Sequence, residues 1–133
     1  MVEQIAFELV SPEKILFSEM VDMVTIPGGE GDYGVMFGHQ PMVTNVRPGI
    51  IEVDQPNGTL LKFYVDGGFA EVTGKSCSVM TEEAINIEEL NQDDLEQKIN
   101  DIESNKNETI TDIENFYLES RLITLREILK NLS

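Results

Sequence analysis

All ten glycines and all five prolines lie within residues 1–87, and residues 88–133 contain neither. Glycine and proline punctuate strand-and-turn structure and are poor in helix interiors. The chain therefore reads as two regions with different grammars. Residues 1–87 are expected to form a strand-and-turn domain, and residues 88–133 a helical one.

In the first region Ile5, Phe7 and Leu9 alternate with polar or small neighbours, the period of a half-buried strand. Further strands are expected at Lys14 to Phe17, Met20 to Ile26, Tyr33 to Phe37, Met42 to Val46, Ile50 to Val53, Leu60 to Val65, Phe69 to Val72 and Cys77 to Met80. Pro56-Asn57-Gly58 reads as a tight turn joining Ile50–Val53 to Leu60–Val65, because Asn and Gly tolerate positive φ. About nine short strands with turns between them point to a sandwich or barrel.

The second region reads as a helical hairpin. Leu90, Leu95, Ile99 and Ile102 fall at near-helical spacing, and Asn91 with Asp94 resembles an N-cap followed by an acid in the first turn. The polar run Ser104-Asn105-Lys106-Asn107 breaks the pattern, and Thr109 with Asp112 repeats the cap signal. Ile110, Ile113, Tyr117, Leu118, Leu122, Leu125, Leu129 and Leu132 form an apolar stripe, with Arg121, Arg126 and Lys130 toward its C-terminal end. The stripes are expected to pack against each other or on the sandwich.

Charge narrows the function. With 9 Lys+Arg against 25 Asp+Glu, the formal net charge is −16. That opposes autonomous binding to nucleic acid or anionic lipid, which needs cations to displace counterions. No apolar run approaches the roughly 20 residues of a membrane span. The opening Met-Val-Glu-Gln is not that of a signal peptide, so an intracellular, soluble chain is expected. One cysteine, Cys77, excludes an internal disulfide and a cysteine-based zinc site, and reads as a buried small hydrophobe.

No motif builds a catalytic centre. Gly29-Glu30-Gly31-Asp32-Tyr33-Gly34 matches G-x-G-x-x-G, but no helix follows it, and Glu30 and Asp32 would repel a pyrophosphate. A hairpin loop is the better reading. His39, the single histidine, sits in the turn-like Phe37-Gly38-His39-Gln40-Pro41 without a second ligand or a nucleophile to serve. Acidic pairs such as Glu82-Glu83 and Asp93-Asp94 read as solvated faces. No catalytic residue, metal site or cofactor is expected.

Several segments together resemble a known family. They are Phe7-Glu8-Leu9-Val10-Ser11-Pro12-Glu13-Lys14, the run from Val24 to Val35 through Pro27-Gly28-Gly29-Glu30-Gly31-Asp32, Gly38-His39-Gln40-Pro41-Met42-Val43-Thr44, Arg47-Pro48-Gly49, and Tyr64-Val65-Asp66-Gly67-Gly68-Phe69-Ala70-Glu71-Val72. Over most of residues 5–82 the chain resembles the epsilon subunit of bacterial F-type ATP synthases, called delta in mitochondria. The helical half is similar in length and layout.

The resemblance implies an antiparallel β-sandwich of two sheets followed by an antiparallel two-helix hairpin. It implies a non-catalytic rotor subunit that couples c-ring rotation to the catalytic head through gamma, peripheral at the cytoplasmic face of the inner membrane and held there by partners. Asp32, with Glu30, falls where the family meets the c-ring loops. His39, with Gln40, Pro41 and Met42, falls where it approaches gamma. The hairpin, with Arg121, Arg126 and Lys130, implies transient contact with the catalytic alpha and beta subunits and weak regulation of hydrolysis. Some members hold ATP through an Asp and an Arg-Ala pair. Here Asn91 replaces the Asp and Asp94-Leu95 the Arg-Ala, so no ATP binding is expected. The alternative is an acidic β-sandwich adaptor that binds one protein partner through its helices.

Overall fold

Alternating apolar residues place one layered core between two sheets and a second core beneath a helix pair. The computed structural model describes residues 3–105 and 112–132. Its strands are β1 (Ile5–Val10), β2 (Ile15–Val21), β3 (Met23–Gly28), β4 (Gly31–Val35), β5 (Met42–Val46), β6 (Gly49–Asp54), β7 (Leu60–Val65), β8 (Gly68–Val72), β9 (Ser76–Met80) and β10 (Ala84–Asn86). A 3-10 turn at Ile87–Glu89 leads to helices α1 (Gln92–Asn105) and α2 (Asp112–Leu132).

The hydrogen-bonded order is β10-β7-β6-β3-β5-β8-β9-β1-β2, with β4 on the free side of β3. One layer ends at β3 and the other begins at β5. A single pairing, Gly28 opposite Val46, joins them. Ile5, Phe7 and Leu9 point inward to meet Val24, Ile26, Ile51, Val53 and Phe63 from the opposite layer. The expected sandwich is thus present, with one ladder reversed in direction: β1 runs parallel to β9, Phe7 opposite Cys77. The strand segments regroup as well. The chain bends at Asp22, whose N–H donates to the Asp54 carbonyl, so β2 continues through Ser18 and Glu19 to Val21.

The Pro56-Asn57-Gly58 turn forms as expected. Gly58 has φ of 86°, and Asn57 Oδ1 accepts from the Thr59 N–H at 2.9 Å. At Gly68, a Cβ would lie 1.9 Å from the Met80 carbonyl oxygen. Only glycine permits that approach of β8 to β9.

In β7, Phe63, Tyr64 and Val65 are all buried, because both faces of that strand are covered. Tyr64 faces outward into the second core, with Leu90, Leu95, Ile99, Ile102, Leu122, Leu125 and Ile128. The helices therefore pack on each other and on the sandwich. Asn91 caps α1, its Oδ1 accepting from the Asp94 N–H at 2.8 Å. The second expected cap at Thr109, and Ile110, lie outside the described residues.

Candidate docking surfaces

Three surfaces carry the side chains singled out above. The first is the rim at the β3–β4 turn. The strands pair in register down to Gly28 opposite Gly31, which leaves a two-residue tip, Gly29-Glu30. Glu30 is exposed at that tip. Asp32 lies on β4, and its carboxylate meets Arg47, whose Nη2 lies 2.5 Å from Asp32 Oδ1. The same guanidinium donates through Nη1 to the Gly28 carbonyl at 2.6 Å. The two acids that share one loop in the sequence thus differ in their surroundings.

The second surface is the outer face of the β5-β8-β9-β1-β2 layer with the loop beside it. His39 is half-buried in that loop, its Nδ1 2.8 Å from the Gln40 carbonyl and its ring 6.5 Å from Tyr33. The Gly38 N–H donates to the Gly74 carbonyl at 2.7 Å, tying the loop to the β8–β9 turn. Gln40 and Pro41 are exposed, whereas Met42 packs against the sandwich core. Strand alternation instead turns Val43 outward, and it is 70% exposed.

On this face the registers bring Phe69 opposite Met80, Met80 opposite Val10, and Val10 opposite Ile15. The result is an apolar row across four adjacent strands, with Phe69 49%, Met80 43% and Ile15 62% exposed. Exposed apolar residues scattered singly need no explanation, but these lie side by side on neighbouring strands. Sequence reading missed this row because its members come from four separate segments. The outward positions of the alternating strands were the available signal.

The third surface is the clasp between hairpin and sandwich. Arg121 Nε lies 3.2 Å from Asp66 Oδ1, both side chains being largely buried. The distance is that of an ion pair, but the N–H is poorly aimed. Among the described residues Arg121 Nε, Asp66 Oδ1 and the Tyr64 hydroxyl lack well-formed hydrogen bonds. Burial raises the Asp66 carboxyl above its ordinary value, with Tyr64 and Arg121 opposing that shift. Burial also pulls on Arg121, but Tyr64 and the Asp66 charge outweigh it and raise the guanidinium. Lys98 of α1 pairs with Glu83 before β10, and Arg126 pairs with Glu103 within the hairpin at 2.5 Å. Lys130 is exposed in the last turn of α2. The cations of the clasp thus already face carboxylates.

Among the described residues no group of three His, Cys, Asp or Glu is arranged to hold a metal ion. Likewise, no helix among them is long and apolar enough to cross a membrane.

The model of the ATP synthase delta/epsilon chain β-sandwich domain matches residues 4–87, the region that carries the rim and the apolar row. The chain belongs to the ATP synthase delta/epsilon chain family. It is 45% identical over 129 residues to an ATP synthase epsilon chain of Rhodospirillum centenum, covering 93% of this chain and 88% of the relative. To an epsilon chain of Paramagnetospirillum magneticum it is 50% identical over 90 residues, 68% of each chain. It is also similar to a chain in the cryo-EM structure of the Euglena gracilis mitochondrial ATP synthase, OSCP/F1/c-ring in rotational state 1. There the TM-score is 0.76 and the identity 26%, over 98% of this chain and 82% of that one. A chain of the Tetrahymena thermophila mitochondrial ATP synthase central stalk and c-ring shares the fold alone, at TM-score 0.61 and 15% identity over 97% and 96%.

Proposed function

We propose that this chain is the epsilon chain of a proton-translocating ATP synthase, a non-catalytic piece of the central rotor stalk. Family membership supports the stalk role. The apolar row Phe69-Met80-Val10-Ile15 carries the finer assignment. In our reading it is the face that packs on gamma, with Val43 beside it and the His39 loop at one end. The β3–β4 rim then points to the polar loops of the c-ring, and the chain sits at the cytoplasmic face of the inner membrane through its partners. Residues 1–87 act as the docking body and residues 88–133 as an arm that transiently meets the alpha and beta subunits.

In this reading the arm regulates hydrolysis weakly and binds no ATP. Asn91 serves as a helix cap and Asp94 adds negative charge beside it. Arg121 and Arg126 each face a carboxylate, so a phosphate would have to displace Asp66 or Glu103.

The test is co-expression with the gamma subunit of the same organism, followed by size-exclusion chromatography. Co-elution at one to one is expected, and Phe69→Glu or Val43→Asp should abolish it without lowering the thermal midpoint. Separate elution of the unaltered chain would sink the rotor assignment and leave the adaptor reading.

A further inference from the structure

The two cations that grip the hairpin come from different helices, yet the carboxylates they meet stand side by side. In the β7–β10 ladder Tyr64 is opposite Ile85 and Val65 opposite Ala84. One step further the Asp66 N–H donates to the Glu83 carbonyl at 3.3 Å, which sets Asp66 opposite Glu83. Strand alternation turns both carboxylates to the side of Tyr64 and Ile85, the side that the helices cover.

Like charges directly opposite on a sheet repel. Lys98 of α1 holds Glu83, and Arg121 of α2 holds Asp66, with Nε 3.2 Å from Oδ1. Burial is the main reason the Asp66 carboxyl stands above its ordinary value; Tyr64, Arg121 and Lys98 oppose it, and Glu83 adds to it. Asp66 therefore senses both members of the neighbouring pair besides its own cation.

Thr81, a polar residue only 2% exposed, fastens this arrangement to the sandwich. Its Oγ1 donates to the Glu83 carbonyl at 3.2 Å, the oxygen that also accepts from Asp66. A carbonyl has two lone pairs, so it takes both bonds. The Thr81 N–H donates to the Val10 carbonyl at 3.0 Å, which anchors the turn on β1.

We propose that Asp66, Glu83, Arg121 and Lys98 form one electrostatic latch for the helical hairpin, and that Thr81 is the positioning residue that keeps its two carboxylates abreast. What the latch regulates rests on the reading of residues 88–133 as an arm. The latch itself is a property of the chain alone.

The experiment is amide exchange in α1 and α2 of the full-length chain, at low and high salt. Asp66→Asn and Lys98→Met lie in different ion pairs. Two independent grips would make their accelerations multiply. In one latch the double variant should exchange about two- to fivefold more slowly than that product, because either change alone already removes the Asp66–Lys98 attraction. High salt should shrink this shortfall. Thr81→Val should speed exchange in both helices about fivefold, the worth of one buried hydrogen bond, and should reduce the shortfall. Thr81→Ser should restore both. Accelerations that multiply at low salt would overturn the latch and leave two separate grips. A shortfall that persists unchanged in Thr81→Val would remove Thr81 from it. If a variant does not fold, Glu83→Gln with Arg121→Met repeats the first test, and Thr81→Ala removes the same hydroxyl. The rotor assignment is decided separately, by co-elution with gamma.

Discussion

The sandwich core and the helix-covered core are both apolar, but they are closed in different ways. Inside the sandwich, residues from nine strands interlock, and backbone ladders surround them. Beneath the helices, one layer of aliphatic side chains rests on Tyr64, Ile50 and Ile85, and the polar margin is held by Arg121–Asp66 and Lys98–Glu83. No strand ladder ties the hairpin down. Ladders resist opening because many bonds must break together, whereas a side-chain interface separates once its contacts are lost. The difference teaches that one chain can close two apolar cores by different means, one with backbone ladders and the other with side chains alone.

The sharpest way to break this comparison is to cut into each core. Phe7→Ala should cost about 3–5 kcal/mol, read as a lower denaturant midpoint for the whole chain. Leu122→Ala should cost about 2 kcal/mol, because a site between two helices relaxes more easily. Its signature is faster amide exchange in α1 and α2 with unchanged exchange in β1 and β9. If the strands exchange in step with the helices, the two cores are one cooperative unit and the comparison fails.

The clasp sharpens it further. Asp66→Asn should destabilise the docked hairpin by about 1–2 kcal/mol, below the range for a fully buried pair because both partners keep some access to water. Adding Arg121→Met should recover most of that loss in thermal melts, since the cation left behind is the larger penalty. Additive losses would mean that the two residues do not act on each other.

The smallest effect belongs to the sandwich interior. Burial pushes the Cys77 thiol up to about 12 from its ordinary 9.0. The folded state then holds its proton at a pH where the unfolded state releases it. The stability involved is fully present below pH 9 and is lost as the pH rises toward 12. Between pH 9 and 10 the loss approaches about 1 kcal/mol. Cys77→Val should flatten this part of the stability curve, measured by urea midpoints. An identical slope in the variant would show that the thiol is not insulated as its burial implies.

Local chemistry was legible in the sequence, and juxtaposition was not. The Gly and Pro break, the Asn57-Gly58 turn and the Asn91 cap each depend on neighbours a few residues away. Their structures match the expectation. Strand β10 was missed because three residues carry too little period to register. Ile128 was left out of the expected helical stripe, although it is buried with Leu125. The parallel pairing of β1 with β9 joins segments about seventy residues apart. At the candidate site, His39 to Met42 were named from the sequence, but which of Met42 and Val43 faces outward depends on strand register. The Asp32–Arg47 and Asp66–Arg121 pairs join distant positions, so no local pattern announced them.

The seam between the two layers has a mechanical consequence. Gly28 opposite Val46, with the flanking bonds from Arg47 and Gly29, stands at the end of the sandwich that carries the β3–β4 turn. A load applied at that turn would enter beside the pairing that fastens the two sheets together, on an edge strand, β4, that β3 alone holds.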